Sequence, residues 1–174
     1  KREIRIQILA DLELPEFGTL IDIGSGSGTI GLESIRLRPN IKLICIDKRL
    51  GTEMLIRENA KILGVKPFKI IEGDINQYLN KELTKFLLTS NRIVIGGCDI
   101  NTKILVIKFL SPLLKTGDII IVPLITYEIL EKIDLALKKL FFETSIKLIQ
   151  ISKGLSIAEG TRFEPNNPVF VIKA

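Results

Sequence analysis

Apolar positions along the chain follow two rhythms. Short continuous apolar runs at residues 19–23, 41–46, 68–71, 92–95 and 119–122 predict buried strands. Each is followed by a segment with helical spacing, at 29–37, 50–63, 75–88, 101–114 and 126–140, and the pattern does not fix the ends of the third. An amphipathic helix over 2–13 precedes the first strand, with Ile4, Ile8, Leu9 and Leu12 on one side and Pro15 and Gly18 ending it. Pro39-Asn40 stops the first helix after a strand, and Gly64 is a good C-cap for the next. Residues 142–151 alternate like a strand, 152–167 read as a polar loop, and 169–173 as a last strand. Strands alternating with helices predict an α/β fold, a doubly wound and mostly parallel sheet with helices on both faces. The last two strands have no helix between them and predict an antiparallel hairpin at one sheet edge. Nothing divides the sequence, so one domain is expected over 1–174, with an N-terminal helix at 1–13 and an α/β core at 18–174.

The residues that carry chemistry follow the first strand, in Asp22-Ile23-Gly24-Ser25-Gly26-Ser27-Gly28. Open α/β sheets bind ligands outside the carboxyl ends of their strands, where strand order reverses. Gly26, Gly28 and Gly31 satisfy the dinucleotide GxGxxG spacing. Gly24, Gly26 and Gly28, two residues after Asp22, satisfy the GxGxG pattern of class I methyltransferases that use S-adenosylmethionine. Asp47, with Lys48 beside it, ends the second strand roughly 20 residues further on, where a carboxylate can hold ribose hydroxyls in either cofactor class. After the third strand, Asp74 can accept an adenine amino group while Ile75 packs on the ring; Asp74 can equally serve as a helix N-cap. Gly96-Gly97, after the fourth strand, permits close approach of a ligand. The full acid-x-Gly-x-Gly-x-Gly match favours S-adenosylmethionine over NAD. Hydride-transfer enzymes also supply a proton-handling His, Tyr or Lys, and here Tyr78 and Tyr127 have no partner motif.

Composition narrows the chemistry. The absence of histidine excludes a Ser-His-Asp site, a His-ligated zinc and a histidine base. Cys45 and Cys98 form no metal spacing or disulfide framework, which suits the cytoplasm. No apolar run approaches the roughly 20 residues of a membrane span. The net charge of +5 fits a polyanionic substrate or simple solubility. RNA is an alternative substrate, but with no Trp and two Tyr there is little aromatic surface for base stacking. A non-catalytic nucleotide-binding module also stays open.

Several segments together resemble the decarboxylating precorrin methyltransferases of cobalamin biosynthesis: Lys1-Arg2-Glu3-Ile4-Arg5, the glycine loop Asp22–Gly31, residues 56–65 (IRENAKILGV), Ile95-Gly96-Gly97, Val122–Glu128, and Thr161-Arg162-Phe163 through Asn166-Asn167-Pro168-Val169. Cys98 and Pro123 depart from the family's usual small or polar residues. The Asn-Pro-Val phrase is not the Asn-Pro-Pro-Tyr motif of amino-group methyltransferases, which belongs after the fourth strand. The resemblance implies an S-adenosylmethionine-dependent enzyme that methylates carbon 15 of a corrinoid polycarboxylate, cobalt-precorrin-6B in the anaerobic route. The carbon-12 acetate is lost as carbon dioxide in the same conversion. It further implies cofactor contacts along Gly24–Gly28, Asp47, Lys48, Asp74, Ile75 and Gly96, and substrate contacts at Gly97, Thr126, Glu128 and Arg162. A homotetramer, sometimes working beside a carbon-5 methyltransferase, is implied as well.

Overall fold

The five apolar runs become five parallel strands in a computed structural model that describes residues 1–87, 90–140 and 142–174. Helix α1 (Arg2–Asp11) leads into β1 (Gly18–Ile23), α2 (Thr29–Leu37), β2 (Ile41–Asp47), α3 (Thr52–Leu63) and β3 (Lys69–Glu72). A 3₁₀ turn (Ile75–Gln77) and the four-residue α4 (Lys81–Thr84) follow, then β4 (Asn91–Ile95), α5 (Ile100–Leu110), β5 (Ile119–Leu124) and α6 (Tyr127–Lys139). The chain ends with β6 (Ser145–Ile149), β7 (Ser152–Ile157), β8 (Gly160–Pro165) and β9 (Val169–Lys173).

The seven-stranded sheet has the order β3-β2-β1-β4-β5-β9-β6. From β1 the chain steps outward through β2 to β3, then returns to place β4 on the other flank of β1. That reversal opens a crevice at the carboxyl ends of β1 and β4. Alternate strand residues face two cores. Ile21, Ile23, Ile93 and Ile95 pack with Val106, Ile107 and Leu110 of α5 and Ile133 and Leu137 of α6. Leu20, Leu43 and Val94 pack on the other face with Ile4 and Ile8 of α1, Leu32 of α2 and Ile56 of α3.

The buried Arg92, at the start of β4, ties the amino-terminal edges together. Its guanidinium donates to the carbonyls of Leu12, Glu13, Asn91 and Gly117 and to Ser90 Oγ. Leu12 and Glu13 immediately follow α1, so one side chain fastens that helix to the sheet.

The helix expected within 75–88, whose ends the pattern leaves open, is the four-residue α4 with a 3₁₀ turn before it, and residue 88 of that span lies outside the described residues. Asp74 Oδ1 accepts from the Asn76 N–H at 3.0 Å and Asn80 Oδ1 from the Glu82 N–H at 2.7 Å, so each side chain starts a separate turn. The polar loop expected at 152–167 is instead the antiparallel ribbon β7–β8, exposed along its length. Leucine, isoleucine and phenylalanine stand there among polar residues, and all of them stay exposed, so the pattern serves no core. The last two sheet strands pair antiparallel as expected; β9 lies inside, between β5 and β6, and β6 takes the edge. No helix among the described residues is long and apolar enough to cross a membrane.

Candidate active site

The glycine loop is pinned from both sides. The N–H groups of Gly24 and Ser25 donate to Ile46 O at 2.8 and 3.2 Å, and the Gly96 N–H donates to Ile23 O at 2.7 Å. The ends of β1, β2 and β4 are thereby held at one level. Gly24 has φ +70°, and a Cβ there would come 2.3 Å from the backbone nitrogen of Gly97. The loop is therefore a bare-backbone cradle that a side chain at this position would fill.

Asp47 stands at the rim of the cradle. Its Oδ2 accepts from the Gly26 N–H at 2.8 Å, and its Oδ1 from the Arg49 N–H and Nε at 3.0 and 3.1 Å. Burial acts to raise its pKa, but the hydrogen bonds from Arg49 and Gly26 outweigh burial and hold the carboxyl below its usual range. The Ser25 hydroxyl is buried beside the Cys45 thiol and makes no conventional hydrogen bond. A pocket at the strand ends brings together Gly24, Asp47, Lys48, Asp74, Ile75 and Gly97, with Cys98, Asp99 and Thr102 on its far wall. Ser25, Gly26 and Ser27 line an adjoining hollow with Arg49 and Leu50. An acid at the rim of a backbone cradle at the strand ends is what an adenosyl cofactor needs, so the residues present fit one.

Asp22 is buried under the loop and accepts from the Gly31 N–H at 3.3 Å. Burial raises its pKa to about 7; the Gly31 hydrogen bond opposes the shift and the Asp47 charge adds to it. A carboxyl raised in the folded state holds a proton there that the unfolded chain, with a pKa of about 4, has lost. Its contribution to stability is complete below pH 4 and disappears as pH rises through 7. Between pH 5 and 6.5 the unfolding free energy attributable to this group should fall by about 2 kcal/mol. Asp22→Asn should flatten that part of the profile in urea unfolding, and an unchanged slope would rule out Asp22 as its source.

Residues 1–174 match the precorrin methyltransferase domain in full. The chain belongs to the precorrin methyltransferase family. Among relatives, a protein of Pyrobaculum aerophilum named probable cobalt-precorrin-6B C(15)-methyltransferase (decarboxylating) is 33% identical, over 100% of this chain and 87% of that protein. Its namesake in Saccharolobus solfataricus is 30% identical, over 99% of this chain and 85% of that protein. The crystal structure of a precorrin-6y C5,15-methyltransferase from Geobacter metallireducens superposes with a TM-score of 0.84 at 25% identity, covering 100% of this chain and 88% of that one.

The other positions that carry the family resemblance lie outside the pocket. Thr126 caps α6 without a side-chain capping bond, Glu128 follows in its first turn, and both are exposed. Arg162 is on the ribbon, opposite Leu155. Sequence reading missed two cations at the site. Arg49 was not singled out, and nothing in the sequence around it marks its pair with Asp47. Lys103 had a signal: it shares one face of α5 with Val106, Ile107 and Leu110, spaced as a core position would be, and it is buried with them.

Proposed function

We propose that this precorrin methyltransferase transfers a methyl group from S-adenosylmethionine to carbon 15 of cobalt-precorrin-6B, with loss of the carbon-12 acetate carboxyl as carbon dioxide. The observation that carries the reading is the match to the family along the whole chain, with relatives that bear this activity in their names. When bound, the cofactor supplies an electrophilic methyl group on a sulfonium. Asp74 and Ile75 would take the adenine, and Asp47 with Lys48 the ribose, once Arg49 swings from its exposed position over the carboxylate. The Gly24–Gly28 loop and Gly96 would lie against the methionine end. Gly97, Thr126, Glu128 and Arg162 are the candidates for substrate contact, Arg162 through a bidentate hold on a carboxylate. The chain's contribution is alignment, which supplies roughly 7–11 kcal/mol in favourable cases and suits a protein with no histidine. Its net charge of +5 suits a polycarboxylate. Two free thiols favour a reducing compartment, the cytoplasm.

Mass spectrometry of cobalt-precorrin-6B incubated with protein and S-adenosylmethionine tests the reading. The expected product has gained one methyl and lost carbon dioxide. An unchanged corrinoid from protein that binds the cofactor would overturn the substrate and turn attention to RNA.

The ribbon supports a homotetramer. A two-stranded ribbon is at best marginally stable alone, and this one leaves Leu155, Ile157 and Phe163 at 40%, 53% and 69% exposure. Leu155 and Ile157 share one face of the ribbon and Phe163 lies on the other, so neighbouring copies on both faces would cover them. Replacing Leu155, Ile157 and Phe163 with serine should reduce the mass measured by light scattering from tetramer to smaller species; a tetramer that survives would place the interface elsewhere.

A further inference from the structure

Lys103 is a buried cation with no carboxylate among its hydrogen-bond partners in the described residues. It is 4% exposed. Its Nζ donates to Ile95 O at 3.1 Å and to Gly96 O, and lies 3.8 Å from Cys98 Sγ. The adjacent acid, Asp99, turns both oxygens to Thr102, accepting from its N–H at 3.0 Å and its hydroxyl at 2.7 Å. The ammonium is thus held by backbone carbonyls directly behind the Gly97-Cys98 wall of the pocket.

The order of the strands gives the pocket a direction. Asp74 stands beyond β3, Asp47 at the end of β2, Gly24 beyond β1 and Gly97 beyond β4, and these strands are neighbours in that order. On the reading proposed above, adenosine takes the β3–β2 end. Gly24 and Gly97, at the β1–β4 end and beside the loop that Lys103 holds, would then hold the methionine end.

We propose that Lys103 is a positioning residue that fixes the Gly96-Gly97-Cys98 wall and whose charge makes the site discriminate against a sulfonium in favour of a neutral thioether. The inference rests on the cofactor site proposed above. A charged ammonium behind that wall would oppose the binding of a sulfonium in a partly screened interior and would leave a neutral thioether at the same place unopposed. Burial depresses the Lys103 pKa, while Cys98 and Asp99 raise it. Of the neighbouring elements, the 3₁₀ turn contributes Asp74 to the same pocket, and α6 buries only Leu130, Ile133 and Leu137.

Calorimetric titration with S-adenosylmethionine and S-adenosylhomocysteine tests the proposal without turnover. In the unsubstituted protein the thioether should bind about ten-fold more tightly. Lys103→Met should bring the two affinities together, and Lys103→Arg, which keeps the charge, should restore the preference. Equal affinities in the unsubstituted protein, or an unaltered preference in folded Lys103→Met, would overturn the role of Lys103 while leaving the cofactor site standing. Binding of neither compound by the unsubstituted protein would overturn the cofactor site and the inference with it. Should Lys103→Met fail to fold, Cys98→Ser, which removes the neighbouring thiol's titration, carries the test. Its preference for the thioether should shrink as alkaline pH discharges Lys103, and a constant preference would again refute the role.

Discussion

Gly24→Ala is expected to reduce affinity for S-adenosylhomocysteine at least about 100-fold, a cost near 2.7 kcal/mol, in a chain that keeps its helical circular dichroism. The cause is backbone against backbone. The new Cβ would meet the Gly97 nitrogen at 2.3 Å and its Cα at 2.8 Å, and neither can swing aside as a side-chain tip can. The strands below are paired along their length, so the strain falls on the two loops. Relief requires parting the cradle from the Gly96-Gly97 turn, which opens the pocket between them. Gly51→Ala is the control. Gly51 also has a positive φ, +82°, but a Cβ there meets nothing within 4 Å. It should cost only the left-handed conformation, about 1 kcal/mol of stability, with binding retained. Retention of binding within ten-fold by Gly24→Ala would show that the cofactor does not use the cradle.

Arg92→Met should lower the unfolding free energy by about 4–5 kcal/mol in urea at pH 7. The side chain is 6% exposed and its donors satisfy carbonyls from the end of α1, the start of β4 and the turn before β5. Methionine fills the volume and leaves the carbonyls of Leu12 and Asn91, whose bonds to the guanidinium are buried, without those donors. With total stabilities of 5–15 kcal/mol typical of domains this size, the variant stands near unfolding at room temperature. Arg92→Lys should recover part of the loss, because a compact ammonium cannot span the carbonyls that a planar guanidinium reaches. A loss under about 1 kcal/mol would mean that water replaces the guanidinium and that α1 is held by its apolar face alone.

The parallel core was legible because burial on both faces demands continuous apolar strands. The runs ending in Ile23, Ile46 and Ile95 carry that demand openly. The glycine loop and Asp47 were legible for a related reason: close backbone approach requires glycine, and a strand end with an acid is rare in an apolar run. The 3₁₀ turn before α4 was hidden because Ile75, Leu79, Leu83 and Leu87 keep perfect helical spacing, while the side chains of Asp74 and Asn80 decide the backbone locally. The ribbon was hidden because strand pattern is read through burial, and β7–β8 buries neither face within the chain. Position in the sheet was written in the same terms: β6 alternates as SIKLI and takes the edge, whereas β9 is continuously apolar as VFVI before Lys173 and lies inside. Lysine at a core-spaced position of α5 is the residue a reading by residue type passes over and a reading by position would catch.

The place of β9 between β5 and β6 also sets an order of events as the chain is made. β6 is synthesised earlier, yet its partner in the sheet is the strand that follows it. Until residues 169–173 are made and fold into the gap, β5 presents a bare row of backbone donors and acceptors along Ile119–Leu124, one of the most apolar stretches in the chain. Closure of the sheet is thus a late step, and a chain released before β9 is complete carries an open, sticky edge, the kind that recruits other strands. In such a protein the last strand acts as a seal, and losing it is more damaging than its five residues suggest.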